Sequence, residues 1–525
     1  MNKKWLVTFL LVLSLIGCQQ GGEGGASIQQ IEKESRDPDK NVVLVIIDSM
    51  TGSLVDNTGE RGTVPALEFL MENGQYYKDL VAPFPSMSVV IESSIITGES
   101  PENHRIPGLV WYDQREQRIV DYGSTIEKMV KLGMKQALID SLYHLNNTHL
   151  NPHSITIFEE LQNRGYTTGA VNTVLYRGNT THDMNLPPLL DDWLQVNGSI
   201  QTKGPDLLAF GTAVKPKVIQ SRNLPDGVTQ RFGLNDEYSV EVVKELIKND
   251  EQPDFLFVFL PDFDKEAHIN SPHYRVGFER AEHYFQEMLN SYESWDKALE
   301  ENIFIVIGDH GQDKLLADEA RMAIDLDAIY GDFIIPDLMD DIIPGDVVLA
   351  NNHRSAYVYP IDNEDMLPRL GEMAMMDKRI SFAAWEEDDW IYVISPDYND
   401  GMRFQPIGPW TDRYDQTWTI EGNRDVLTLQ LEEDNQIVKY VDYPDILNQI
   451  QSALHSQDTP AVVLNAKPSY TFKSEGAPLH VDGGEHGGAH KNDTLAAMII
   501  AGTDEEPPYL RMADLKEYIL QFFEE

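Results

Sequence analysis

The chain has almost no cysteine. One residue, Cys18, stands near the start of 525 residues. A single cysteine excludes a disulfide within the chain and a zinc–thiolate cluster. Any bound metal would need Asp, Glu, His or hydroxyl donors, which suit hard or borderline ions such as zinc or manganese. Long apolar runs are also missing. The longest, Trp5–Ile16, has twelve residues, well short of the roughly 20 that span a bilayer. Positive charge is scarce: 41 Lys and Arg face 86 Asp and Glu, a net charge of −45. Such a chain repels polyanions, so a nucleic-acid polymer is excluded as a partner. Small phosphates remain open to it where bound cations reverse the local field. The acid is spread along the chain, as a solvated surface suited to salty or alkaline surroundings would be. No internal repeat is visible.

The first residues point to export. Lys3 and Lys4 precede the apolar run, which has the length of a signal-peptide core. It ends in "LIGC", Leu15–Cys18, and this tetrapeptide resembles the lipobox of bacterial lipoproteins. The resemblance implies a signal peptide over 1–17 and a lipid on Cys18, hence anchoring to the cell membrane on its extracytoplasmic side. Lipidation would leave no free thiol. The Gly-rich, then charged stretch up to Lys40 reads as a flexible spacer. Residues 41–525 are ample for one large α/β domain or for two.

Several segments are apolar nearly throughout: Asn41–Ile47, Asp254–Leu260, Ile303–Ile307, Ser355–Ile361 and Leu495–Gly502. They read as parallel strands covered on both faces. Helical patterns lie between them, at Thr156–Tyr166, Ser239–Asn249 and Arg275–Glu300. The alternation predicts an α/β fold, a mostly parallel central sheet with helices on both faces. Residues from about 371 to 443 alternate in period two and predict a smaller antiparallel cap or insertion.

Ligands bind outside the carboxyl ends of strands in open α/β sheets. Asp48 ends the first strand, and Asp262, Asp264 and His268 follow the second in "LPDFDKEAHINSP". Asp309 and His310 end "IFIVIGDH", and His486 lies in "GEHGGAH" before the last strand. Alone, each aspartate reads as a cap or turn residue and each histidine as a loop residue. Together, aspartates and histidines without cysteine are what a two-metal site of oxygen and nitrogen donors requires. In "APFPSMSVVIESSIITG", Ser86 and Ser88 precede a buried-looking helix, Val89–Ile96. A serine there is either a plain N-cap or a hydroxyl activated by the helix dipole and free amides.

These five stretches, in their order along the chain, resemble the alkaline phosphatase superfamily, in its type I phosphodiesterase/nucleotide pyrophosphatase branch. That branch places a Thr or Ser nucleophile nine residues before the Thr of a "TG" pair, which marks Ser88 before Thr97. The resemblance implies two divalent ions, typically zinc. Asp48, Ser88, Asp309 and His310 would surround one, and Asp264, His268 and His486 the other. Asp264 is preferred to Asp262 because the family's Asp stands four residues before its His. The implied activity is hydrolysis of a small phosphate ester through a phosphoserine. Alternatives on the same scaffold are a phosphonate hydrolase, a phosphoglycerol-type transferase and a non-catalytic binding lipoprotein. The family's "H-G-I" becomes His104-Arg105-Ile106, and Leu109 stands where an Asn would touch a phosphate oxygen. Trp111 and Tyr112 read either as pocket lining or as packing.

Overall fold

A computed structural model of the chain describes residues 38–57, 62–185, 200–219, 224–338 and 342–524. The signal-peptide and Cys18 readings lie outside them. Seven strands form a central sheet: β1 Asn41–Ile47, β2 Gly74–Val81, β3 Thr168–Val171, β4 Leu207–Ala209, β5 Phe255–Leu260, β6 Asn302–Ile307 and β7 Leu495–Ala501, in the order β2-β7-β6-β1-β5-β3-β4. β1 lies at the centre, parallel to both neighbours, with Val42 opposite Ile303 on one side and Phe255 on the other. Its alternate residues enter two separate cores. Val42, Leu44 and Ile46 face one, and Val43, Val45 and Ile47 the other. Burial on both faces is why this strand reads as an unbroken apolar run.

Six helices matter for the site and its cover: α1 Ser88–Thr97, α2 Ile157–Arg164, α3 Asp236–Lys248, α4 Asp262–Ile269, α5 Arg275–Leu289 and α6 Trp295–Glu301. The single helix expected over Arg275–Glu300 is two helices. Polar residues Asn290–Ser294 interrupt it, and the Ser294 hydroxyl caps α6 by accepting the Lys297 amide. No helix among the described residues is long and apolar enough to cross a membrane.

Two of the expected parallel strands run otherwise. β7 is antiparallel to β6, with Phe304 opposite Ala501, and β2 is antiparallel to β7. Ser355–Pro360 lies in a second, almost wholly antiparallel sheet of nine strands between Val347 and Ala466. An apolar run reports burial on both faces but carries no strand direction. The antiparallel texture over 371–443 is present, in strands such as Ile380–Glu387, Trp390–Ile394 and Met402–Thr411. These belong to the larger sheet, which also includes Val462–Ala466.

The direction of β7 places the site. Because it opposes β6, the residues before it arrive at the edge where β1, β5 and β6 end. β2 opposes β7, so its carboxyl end and the segment leading to Ser88 reach the same edge.

Candidate metal centre

Each of these strand ends supplies a polar group. After β6 the chain passes Gly308, where an added Cβ would lie 1.9 Å from the Met50 carbonyl oxygen. Only glycine lets the loops after β1 and β6 approach so closely. Asp309 and His310 follow, both fully buried. One Asp309 oxygen accepts the amides of Ser49 and His310, each at 2.9 Å. The His310 Nε2 lies 3.6 Å from Asp48 Oδ1 and 3.4 Å from Asp309 Oδ2. All three atoms are buried without a hydrogen-bond partner among the described residues. Ligands bound at about 2.0–2.1 Å around a tetrahedral zinc stand about 3.3 Å from one another. The three atoms therefore fit a shared cation.

A second set adjoins the first. From α4, Asp264 Oδ2 lies 3.3 Å from His268 Nε2, and Asp264 Oδ1 lies 3.8 Å from His486 Nε2. The His310 and His486 rings stack at 3.8 Å, so the two sets are neighbours. In all three histidines Nδ1 donates to a backbone carbonyl: His268 to Gly484 at 2.8 Å, His310 to Gly311 at 3.1 Å and His486 to Ser86 at 2.7 Å. That assignment turns each Nε2 toward the cluster, where a metal ion would take the place of any proton it carries.

The electrostatics agree with a site built for cations. Burial, then the charges of Asp309 and Asp264, push Asp48 well above the usual carboxylate range. Burial also raises Asp309. Burial works against the Asp264 carboxylate too, but His268 and His486 beside it hold it well below that range. Burial disfavours the charged form of His268, yet Asp264 and Glu485 raise it to about 10. Burial lowers His310 to about 4 and His486 well below the imidazole range. Carboxylates crowded in a dry pocket repel one another, and divalent ions would relieve that repulsion.

The two serines before α1 differ. Ser86 is fully buried; its hydroxyl donates to the Gly488 carbonyl and accepts the Gly487 amide, each at 3.0 Å. It ties the start of α1 to the His486 loop. Ser88 is partly exposed at the first position of α1, and no side chain caps that helix. Its hydroxyl has no hydrogen-bond partner among the described residues and is the one left available. Asp262 takes no place in the cluster. It accepts the Asp236 amide at 3.0 Å and pairs with Arg231.

The departures near Ser88 also resolve. Arg105 sits at φ 69°, the left-handed region that favours glycine, and pairs with Asp458 at 2.6 Å. The Leu109 amide donates to Asn352 Oδ1 at 2.7 Å. Trp111 and Tyr112 are buried, with Trp111 donating to the Tyr122 hydroxyl and Tyr112 packing on Tyr359. They are packing.

Sequence reasoning missed Ser49, Gln312 and Glu485. The Ser49 hydroxyl donates to Asp264 Oδ1 at 2.8 Å, and the Gln312 amide donates to Ser49 Oγ at 3.0 Å and to Asp264. Ser49 thus links Asp264 to Asp309. Each missed residue is within two positions of a chosen one, which was the available signal.

The fold and this cluster define a class: α/β proteins with acid and imidazole groups, a donor set suited to divalent ions, gathered at the carboxyl edge of the sheet. The profile of the type I phosphodiesterase/nucleotide pyrophosphatase family matches residues 42–489, and the chain belongs to that family. Among curated proteins none matches. Solved structures share the fold. An inactive variant of murine ectonucleotide pyrophosphatase/phosphodiesterase 5 in complex with AMP is 11% identical, covering 92% of this chain and 94% of its own, with a TM-score of 0.53. The human counterpart is 13% identical over the same shares, with a TM-score of 0.52. Phosphonoacetate hydrolase from Sinorhizobium meliloti, in complex with phosphonoacetate, is 14% identical, covering 95% of this chain and 99% of its own, with a TM-score of 0.53.

Proposed function

We propose that this chain is a lipid-anchored hydrolase of small phosphate esters, facing outward from the membrane and acting through a phosphoserine on Ser88 at a two-metal site. The observation that carries the reading is the trio of buried, unpartnered atoms on Asp48, Asp309 and His310. These three residues with Ser88 would hold one ion, and Asp264, His268 and His486 the other. Zinc suits the donors best, and manganese is the alternative. When bound, such ions supply Lewis acidity, lowering the pKa of a nearby hydroxyl and offsetting phosphoryl charge.

The protein's own groups do the rest. Ser88 Oγ attacks phosphorus in line with the leaving ester oxygen, forming a phosphoserine that water then hydrolyses. The uncapped N-terminus of α1 directs its free amides and positive dipole end toward the phosphoryl oxygens. The Ser86 bonds to the His486 loop hold the start of α1 in register with that ligand set. The anchor rests on the N-terminal pattern ending at Cys18.

A phosphonate hydrolase is the second reading. It is favoured by the shared fold with phosphonoacetate hydrolase. The test compares bis-p-nitrophenyl phosphate, p-nitrophenyl phosphate and phosphonoacetate on zinc-loaded protein. Turnover of a nitrophenyl ester, lost on chelation and restored by zinc, is expected. Release of phosphate from phosphonoacetate alone would favour the second reading. Turnover that survives exhaustive chelation would end both.

A further inference from the structure

A second group of metal-ligating side chains lies beside the two sets above. Glu485 is fully buried immediately before His486. Its two oxygens are taken by different imidazoles: His353 Nδ1 is 2.6 Å from Oε1, and His480 Nδ1 is 2.8 Å from Oε2. The candidate ligand atoms of the three residues lie within 4.8 Å of one another. The residues come from three places. His353 is at the tip of the hairpin joining Val347–Asn352 to Ser355–Pro360, His480 is in the loop ahead of the last strand, and Glu485 pairs with Asp313 in a short ladder.

We propose that His353, His480 and Glu485 hold a third divalent cation of the zinc class, adjacent to the two-metal site. Two imidazoles and a carboxylate are a donor set that zinc takes in open sites. Hydrogen bonds alone would also satisfy these distances, so the choice rests on three other observations. First, the Glu485 charge is deeply buried, and among the described residues no lysine or arginine lies at ion-pair distance from it. Its close partners are the imidazoles of His268, His353 and His480. Second, His353 Nε2 is buried without a hydrogen-bond partner among the described residues. Third, the His480 ring lies 4.1 Å from the ring of His268 and is about one-quarter exposed, so an ion has a route from solvent. With one Glu485 oxygen 3.6 Å from His268 Nδ1, the carboxylate would stand between this ion and the neighbouring one.

The test counts ions. Full-length protein is stripped with chelator, dialysed against a small excess of zinc and analysed by inductively coupled plasma mass spectrometry. Wild type is expected to retain three zinc ions per chain and the double variant His353→Gln/His480→Gln two. Two in the wild type, or three in the variant, overturns the third site. Fewer than two in the wild type overturns it together with the two-metal reading. Zinc-edge anomalous scattering from crystals of wild-type protein carrying three equivalents of zinc keeps the test decisive if the variant fails to fold. A peak bonded to His353 and His480 supports the site, and its absence refutes it.

Discussion

Asparagine at position 309 would separate a cation pocket from an ordinary polar core. In Asp309 one oxygen accepts two backbone amides, while the other is buried and unpartnered. Asp309→Asn keeps the first acceptor and removes the charge. The Asp48 and Asp309 oxygens lie within 3.4–3.6 Å of one imidazole nitrogen, so they are no more than about 7 Å apart. At that separation and an effective dielectric of about 20, two carboxylates repel by about 2 kcal/mol or more. Without metal, the variant should therefore be more stable than wild type at pH 8 by about 2 kcal/mol, or about 2 °C in Tm for a chain of this size. The sign with pH follows from the raised pKa of both groups. The folded state holds their protons more tightly than the unfolded chain, so metal-free wild type loses stability as pH rises through the raised values. The advantage of the variant vanishes at low pH, where both carboxyls are neutral. With zinc the order inverts, because wild type gains about 3 kcal/mol per site at a hundredfold excess over Kd and the variant forfeits one site. Thermal unfolding in chelator and in zinc, at pH 5 and pH 8, reads all four arms. A variant less stable than wild type by the same amount in every arm would refute the reasoning.

Ser88→Ala should lower kcat by at least about a thousandfold while metal content stays at the wild-type value; full activity would move the nucleophile elsewhere. Gln312→Ala should weaken metal affinity by about 10–100-fold, since it removes the amide that orients Ser49 and Asp264; competition with a chromophoric chelator measures it. Burial raises Glu92 from 4.5 to about 8. Wild type should therefore lose up to about 5 kcal/mol of stability as pH rises across that window, and Glu92→Gln should flatten the dependence in denaturant titrations. Cys18→Ser should shift the protein from the membrane to the soluble fraction and abolish palmitate labelling.

Much of this was legible in the primary structure because burial writes itself in hydrophobicity. β1, β5 and β6 are apolar on both faces, and their ends mark Asp48, the Asp264–His268 helix and Asp309–His310. Direction did not show: β7 is as apolar as its neighbours and runs the other way. The second sheet was legible only where one face is wet, over 371–443, and not at Ser355–Pro360, whose residues are buried throughout. Ser88 was separated from Ser86 by the spacing of a motif, and the structure adds the physical reason, since Ser86 spends its hydroxyl on the His486 loop. His353 gave no signal at all. It reaches the cluster through a hairpin of the other sheet, a proximity set by tertiary packing.

β2 stands at the margin of the central sheet, and its sole neighbour there is β7. The serine-bearing helix follows β2, and His486 precedes β7, so both hang on a strand that follows the rest of the sheet in the chain. A polypeptide ending before that strand would keep Asp48, Asp309 and His310 but lose the docking of Ser88 together with His486. The Ser88 and His486 sides of the cluster would therefore come together in a single step, when β7 joins the sheet.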